Sequence, residues 1–362
     1  MLYSPTPLYF ASQYLGHNAC SFYRSRVVTN CIVENIPRVR VMESDALIHD
    51  MRFLQYCTSY RCQRLGYPKI IDWYEGELKE VSDKNGFPLV LDYDDIMCYD
   101  DCPAYNNGKD YLAMYTDELM LRYMKASDYV TVTTDILKKY YMNRYNLPDS
   151  KFKVIDNYLP QWWFANIFNE ENVSRRFDKQ RKKPVIMISC GSSHFDVQNK
   201  AGYDDFTGVD DWIIANRNEY QFVFHGGINA KLYQYKDSFV FAPSVSINMY
   251  PTVRNSYSPN LYLMALRDST FNSAKSAIRL YEADAEGIPI LLSNVHPYKG
   301  KTDLVFNDVD ELDRKVKDLF GDKGFYLNEV KKARKRAEKQ VLENHIDKWL
   351  DILKKEAKVT NG

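Results

Sequence analysis

The chain has 362 residues, too long for one ordinary core and suited to two α/β domains of about 150 to 180 residues each. Lys plus Arg equals Asp plus Glu at 48 each, so no net field draws the molecule to nucleic acid or membrane, and a polyanion would have to be met by a local patch. Seven cysteines, at positions 20, 31, 57, 62, 98, 102 and 190, have no regular spacing, which excludes a disulfide framework and points to a reducing cytoplasm.

The amino-terminal MLYSPTPLYFASQYLG lacks the basic start and apolar core of a secretory signal, and no window of about 18 apolar residues occurs. The expectation is a cytoplasmic protein without membrane insertion. Short apolar runs at 8–11, 39–42, 53–57, 88–91, 129–133 and 153–155 read as strands, with helices at 20–33, 70–83, 111–125 and 135–145 between them. This βα rhythm predicts a parallel sheet in a Rossmann-like first domain, residues 1–165. The polar, charged ENVSRRFDKQRKKP, closed by Pro184, predicts a linker over 166–184.

The rhythm then restarts. Strands are expected at 185–189, 221–225, 239–242, 262–266 and 290–293, and helices at 210–215, 274–286 and 309–320, giving a second Rossmann-like domain over 185–326. Apolar residues at Val330, Ala333, Ala337, Val341, Ile346, Trp349, Leu350 and Leu353 predict a long C-terminal helix within 327–362, packing across the lobes. No repeat or low-complexity segment occurs. The fold class is therefore α/β, two lobes facing a central cleft.

The densest chemistry lies in FNSAKSAIRLYEADAEGIP, residues 271–289. Asn272 or Ser273 can cap a helix starting near Ala274, whose free N–H groups suit a diphosphate. Lys275 in its first turn adds a full positive charge where charge develops as a diphosphate leaves. Glu282, two turns on, shares its face and can bind ribose hydroxyls. Gly287 and Pro289 end the helix. A plain amphipathic helix ended by glycine would read the same way.

This segment resembles the donor-binding region of GT-B glycosyltransferases, in particular those of tailed bacteriophages. The resemblance implies a nucleoside-diphosphate sugar donor, with donor-binding roles for Asn272, Lys275, Ser276 and Glu282. It implies retention of anomeric configuration, and no cofactor or metal requirement. In that family Glu282 is the second of two glutamates separated by seven residues; the first would fall at Ala274, so one family carboxylate is missing. The Gly191-Ser192-Ser193-His194 run after the first strand of the second lobe is similar to a Gly-Ser-x-x-His run in such enzymes, making Gly191, Ser192 and His194 donor-loop candidates, since small residues let backbone amides approach phosphate. His225 and Gly226 form a further strand-end turn, placed to underlie the nucleotide base. In the first lobe GHNACSFYR matches a Gly-then-Tyr-Arg loop reaching across the cleft, so Gly16, Tyr23 and Arg24 are cleft-loop candidates, with Arg24 suited to a phosphate oxygen.

The acidic PLVLDYDDIMCYDDC, residues 88–102, admits three readings. As the Asp-x-Asp of a GT-A enzyme it would bind a divalent ion. As a phosphatase of the haloacid dehalogenase class it would supply a nucleophile and an acid, but that class expects Thr or Val where Ile96 stands. As the acceptor side of a GT-B cleft it would position or deprotonate the acceptor. The third is preferred because GT-A enzymes lack the second lobe. Asp92, Asp94 and Asp95 are then the catalytic candidates, with Asp92 or Asp95 as base because crowded carboxylates raise one another's pKa.

GT-B enzymes of this look include those that glycosylate hydroxymethylated bases in phage DNA, which makes DNA an acceptor expectation and host cytoplasm the location if phage-encoded. The phosphate-contacting candidates are Arg175, Arg176, Lys179, Arg181, Lys182 and Lys183, then Arg38, Arg40, Arg52, Arg61 and Arg64, and the basic run from Lys331 to Lys339. A cell-envelope polysaccharide, a lipid carrier or a protein remain alternative acceptors, and a non-catalytic GT-B module that only binds nucleotide or DNA remains an alternative function.

Overall fold

The computed structural model describes residues 8–353, apart from 15, 17, 47, 49, 165–169 and 180–182. Strands flanked by helices on both faces must be apolar on both sides, and the central strand Leu89–Tyr93 is buried at every position, Asp92 included. In the first lobe β1 (Leu8–Gln13), β2 (Val39–Ser44), β3 (Ser59–Gln63), β4 (Leu89–Tyr93), β5 (Tyr129–Val132) and β6 (Phe152–Val154) form a parallel sheet in the order β2-β1-β3-β4-β5-β6. The second lobe repeats the plan with β7 (Val185–Cys190), β8 (Gln221–Gly226), β9 (Val240–Phe241), β10 (Leu261–Met264), β11 (Ile290–Ser293) and β12 (Val305–Phe306). Their order is β12-β11-β10-β7-β8-β9, again parallel.

Strand order reverses between β1 and β3 in one sheet and between β7 and β10 in the other. Open α/β sheets bind ligands outside the carboxyl ends of the strands at such points. Here both sets of carboxyl ends meet in one cleft.

Several elements depart from the sequence expectations. Residues 53–57 are not a strand: Met51–Leu54 is a helical turn, started by the Asp50 carboxylate, which accepts from the Arg52 N–H at 3.0 Å. The strand is the polar-looking Ser59–Gln63, buried throughout. The expected linker contains a helix, Glu170–Lys179, because Val173 and Phe177, four apart, share one buried face, and Phe177 packs on Tyr326. Lys179 side-chain placement, Arg181 and Lys182 lie outside the described residues. The long C-terminal helix runs as Lys323–Ala337, is interrupted by short turns at Glu338–Gln340 and Leu342–Asn344, and resumes as Ile346–Leu353. The interruption lets Val341 pair with Leu159 and returns the chain to the first lobe. There Trp349 is buried beneath two first-lobe guanidinium groups, Arg61 at 4.2 Å and Arg24 at 4.9 Å from its ring centre.

The lobes are tied across the cleft by polar contacts. Tyr23 donates its hydroxyl to Glu282, Thr134 donates to the Ala274 carbonyl at 2.9 Å, and Asn157 donates to Ser276 Oγ at 2.8 Å. All seven cysteines are free. No helix among the described residues is long and apolar enough to cross a membrane.

Candidate active site between the lobes

A cavity of about 340 Å³ opens between the lobes, lined by the ends of β3 and β4 on one side and of β7 and β10 on the other. Its lining carboxylates, Asp94 and Asp95, follow β4 of the first lobe; its cations are Lys275 and Arg279 of the second lobe and Arg64, which follows β3 of the first and pairs with Asp94.

Lys275 is not in the first turn of a continuous helix. The segment is split into a short helix Thr270–Ser273, capped by Ser269 rather than by Asn272 or Ser273, and a helix Ile278–Ala285. Lys275 lies in the break. Its Nζ reaches across the cleft to Asp95 Oδ2 at 3.0 Å and stands 4.6 Å from the Phe271 ring centre. Burial lowers the ammonium pKa, but Asp95 more than offsets this, so Lys275 stands above its ordinary value and is fully charged. The break has a packing cause: Phe271 and Ala274 are buried in the first lobe's apolar cluster. A glutamate at 274 would place a carboxylate inside that cluster.

Glu282 points away from the cavity. It is buried in the second lobe, accepting from Arg254 at 3.0 Å, Arg279 at 2.8 Å and the Tyr23 hydroxyl. Burial raises its pKa, and Arg279 and Arg254 reverse this, holding the carboxyl below its usual range. Arg254 continues to Glu286, which also accepts from Tyr262 at 2.6 Å. The network fixes Arg279, whose guanidinium lines the cavity and also donates to Tyr250 at 2.8 Å.

The Gly191–His194 turn lies at the cavity wall, with Gly191 and His194 lining it and Ser192 accepting from Asn107 of the first lobe at 2.7 Å. Ser276 also lines the cavity. His225 does not: it is buried against Tyr250, with ring centres 4.8 Å apart, and burial plus Arg254 and Arg279 push its pKa down to about 4. Gly226 serves the backbone. Its φ is +116°, and a Cβ there would meet the Cys190 carbonyl oxygen at 2.1 Å. Gly226→Ala is therefore expected to displace the Gly191–His194 turn and lower melting temperature, with a cost of about 1–3 kcal/mol; an unchanged melting temperature would contradict this.

Of the first-lobe candidates, Tyr23 lines the cavity. Arg24 does not reach it: the side chain is fully buried and pairs with Asp92 at 2.6 Å, while also donating to the Ile155 carbonyl. Gly16 adopts a left-handed φ of +60° in the loop after β1, outside the cavity wall. Asp92 is equally withdrawn, saturated by Arg24 and by Thr131 Oγ1 at 2.5 Å. Asp94 lines the cavity and pairs with Arg64. Burial pushes its carboxyl up, and Arg64 more than reverses this, leaving it below the usual range. The structure thus brings Asp94 and Asp95 to the cleft with Lys275, His194 and Tyr23, and places Asp92, Arg24, His225 and Glu282 behind it.

Two residues absent from the sequence reading matter here. Arg279 had a signal, since it follows Lys275 by four residues. Asp205 had none: it is brought to His194 by the turn after β7, with His194 Nδ1 2.7 Å from Asp205 Oδ2.

Two Rossmann-like lobes with parallel sheets facing a ligand-sized cleft are the GT-B fold. The structure is similar to that of Anabaena HepE in complex with UDP and glucose, with a TM-score of 0.59 and 10% identity over 95% of this chain and 98% of that one. It is similar to a glycosyltransferase from Rickettsia africae, with a TM-score of 0.58 and 12% identity over 96% and 98% of the two chains. In sequence nothing matches, neither a family model nor a curated protein.

Proposed function

We propose that the chain is a glycosyltransferase that holds a nucleoside-diphosphate sugar with its diphosphate at Lys275 and Arg279 and passes the sugar to a hydroxyl of an acceptor entering beside Asp95. The observation that carries this reading is a cavity whose described second-lobe lining offers cations, Lys275 and Arg279, and no carboxylate, while the first-lobe side carries Asp94 and Asp95 with its own cation, Arg64, taken up by Asp94. A diphosphate arriving at Lys275 competes with Asp95 for the ammonium. Once released, the Asp95 carboxylate orients the acceptor hydroxyl. In the retaining reaction implied by the resemblance, the departing diphosphate takes the hydroxyl proton as the anomeric C–O bond to the phosphate breaks and the new C–O bond forms on the same face. The domain division at 166–184 is proposed with this reading, the first lobe serving the acceptor and the second the donor.

The acceptor we favour is an uncharged polyhydroxylated one, as in a cell-envelope saccharide. Of the first-lobe arginines that would track DNA phosphates, Arg38, Arg40 and Arg52 are exposed but do not line the cavity, Arg61 is buried and Arg64 is held by Asp94. Beside the paired Arg64, the acceptor side of the cavity carries carboxylates, tyrosine and amide groups. Hydroxymethylated DNA is tested by gel shift at two salt concentrations; tight, salt-sensitive binding would overturn the saccharide reading.

The donor is tested by a thermal-shift panel of UDP, GDP, ADP, CDP and dTDP, with UDP first because it occupies HepE. At least one is expected to raise the melting temperature, and silence across the panel would sink the enzyme reading. Asp95→Asn is expected to leave stability within about 1 kcal/mol, because its ion pair is partly exposed, and to lower kcat by about 10²-fold through loss of acceptor positioning. Asp92→Asn is expected to do the reverse, costing about 3–5 kcal/mol because Arg24 loses its buried partner. Equal effects of the two changes on both readouts would refute the assignment.

A further inference from the structure

Asp205 is a meeting point that the donor and acceptor roles above do not use. It accepts from His194 Nδ1 at 2.7 Å, from the first-lobe Tyr105 hydroxyl at 2.6 Å, from Asn272 Nδ2 at 2.7 Å and from the Arg267 backbone N–H at 2.9 Å. Burial raises its pKa, but His194 and its other donors more than reverse this, holding Asp205 below the usual range as an acceptor-only carboxylate. The proton of neutral His194 therefore sits on Nδ1, and Nε2 carries the lone pair of a ring that lines the cavity.

The charged groups facing this ring are Asp205 from the turn before the helix Val209–Ala215, and Lys275 and Arg279 from the segment around the break. Asp94, Asp95 and Arg64 lie across the cavity. Burial lowers the ring's pKa, Asp205 raises it, and Lys275 and Arg279 lower it further, leaving His194 below its ordinary value and neutral near pH 7 when the cavity is empty.

Resting on the donor reading above, we propose that His194, held in register by Asp205, takes up a proton when a nucleoside diphosphate binds, and then acts as a third cation and hydrogen-bond donor to the diphosphate. A lone pair on Nε2 would repel a phosphate oxygen, whereas an N–H donates to it. The anion also cancels the repulsion that Lys275 and Arg279 exert on an imidazolium. The proton comes from solvent and forms the Nε2–H bond; none is lost from Asp205, which stays ionised and stabilises the imidazolium through Nδ1–H. His194 thus contacts the donor, and Asp205 is a positioning residue that acts through it.

The test is calorimetric titration of the full-length chain with whichever nucleotide of the panel binds, near pH 7 in two buffers of different ionisation enthalpy. Wild type is expected to take up about one more proton per nucleotide than His194→Gln; comparing the two cancels the nucleotide's own titration. Asp205→Asn, which keeps a hydrogen-bond acceptor but removes the charge, is expected to bind more weakly and to lose most of the proton uptake. A merely structural Asp205 would change melting temperature without changing the proton count. Binding with the same uptake in wild type and both variants overturns this inference and leaves the donor reading standing. Failure of every nucleotide to bind overturns both.

Discussion

Lys275→Ala is expected to lose nucleoside-diphosphate binding and to keep its fold. Its ammonium links the lobes across the cavity by an ion pair, 3.0 Å from Asp95 and only partly shielded. Removing it strips one of the two second-lobe cations from the proposed diphosphate site. Removal of one preorganised electrostatic partner costs about 10²- to 10³-fold in rate, or roughly 3–4 kcal/mol, so kcat/KM is expected to fall at least that far. The lost ion pair with Asp95 costs less than about 1 kcal/mol of stability, since both groups retain some solvent. Steady-state kinetics and a melting curve on the same preparation separate the two effects. A variant that melts normally and still transfers sugar at wild-type rate would remove Lys275 from the mechanism.

Arg254→Ala is the opposite case, a variant that fails through the fold. Arg254 is buried between Glu282 and Glu286 and lies 4.5 Å and 4.6 Å from the ring centres of Tyr250 and Tyr262. Without it Glu286 keeps only Tyr262 as a side-chain partner, and the expected loss is about 3–5 kcal/mol. Burial pushes Glu286 up to about 7 even with Arg254 beside it. A carboxyl whose folded pKa exceeds its unfolded one contributes stability that is complete below the unfolded value and lost as pH rises through the folded value. The variant's melting temperature is therefore expected to fall more steeply than wild type between about pH 5 and pH 8. Adding Glu286→Gln, which removes the stranded charge, restores part of the loss. A pH-independent deficit, or no deficit, would show that a stranded Glu286 carboxylate is not the source of the loss.

Much of the fold is legible in the chain because both sheets obey a simple rule. Strands such as β4, β8 and β11 are short apolar runs, and the helices between them carry one buried face. What was hidden is polar residues in buried places. β3 reads SYRCQ and gives no strand signal, because the cover for Arg61 is Trp349, which arrives from the far end of the chain. The linker helix was masked by its charge, which outweighs the two apolar residues that bury it.

The site was legible to the level of the segments and misread at the level of several side chains. The 271–289 stretch and the β4 strand end do meet in one cleft. Sequence spacing placed Lys275 and Glu282 on one helical face, but inter-lobe packing of Phe271 and Ala274 interrupts the helix and turns them apart. Adjacent aspartates look equivalent in sequence. In the sheet, alternation sends Asp92 into the buried Arg24 pair, while Asp94 and Asp95, beyond the strand, reach the cavity. The His194–Asp205 pair joins residues on two limbs of one turn, which no periodicity records.

That a nucleoside diphosphate occupies the inter-lobe cavity against second-lobe cations is the proposal on which the other roles depend. A crystal structure of the chain with bound UDP, or with the panel nucleotide that binds best, tests it most directly. The expected result is a diphosphate within hydrogen-bonding distance of Lys275 and Arg279, with the Lys275–Asp95 pair opened. Nucleotide bound elsewhere, with that pair still closed at 3.0 Å, would contradict it.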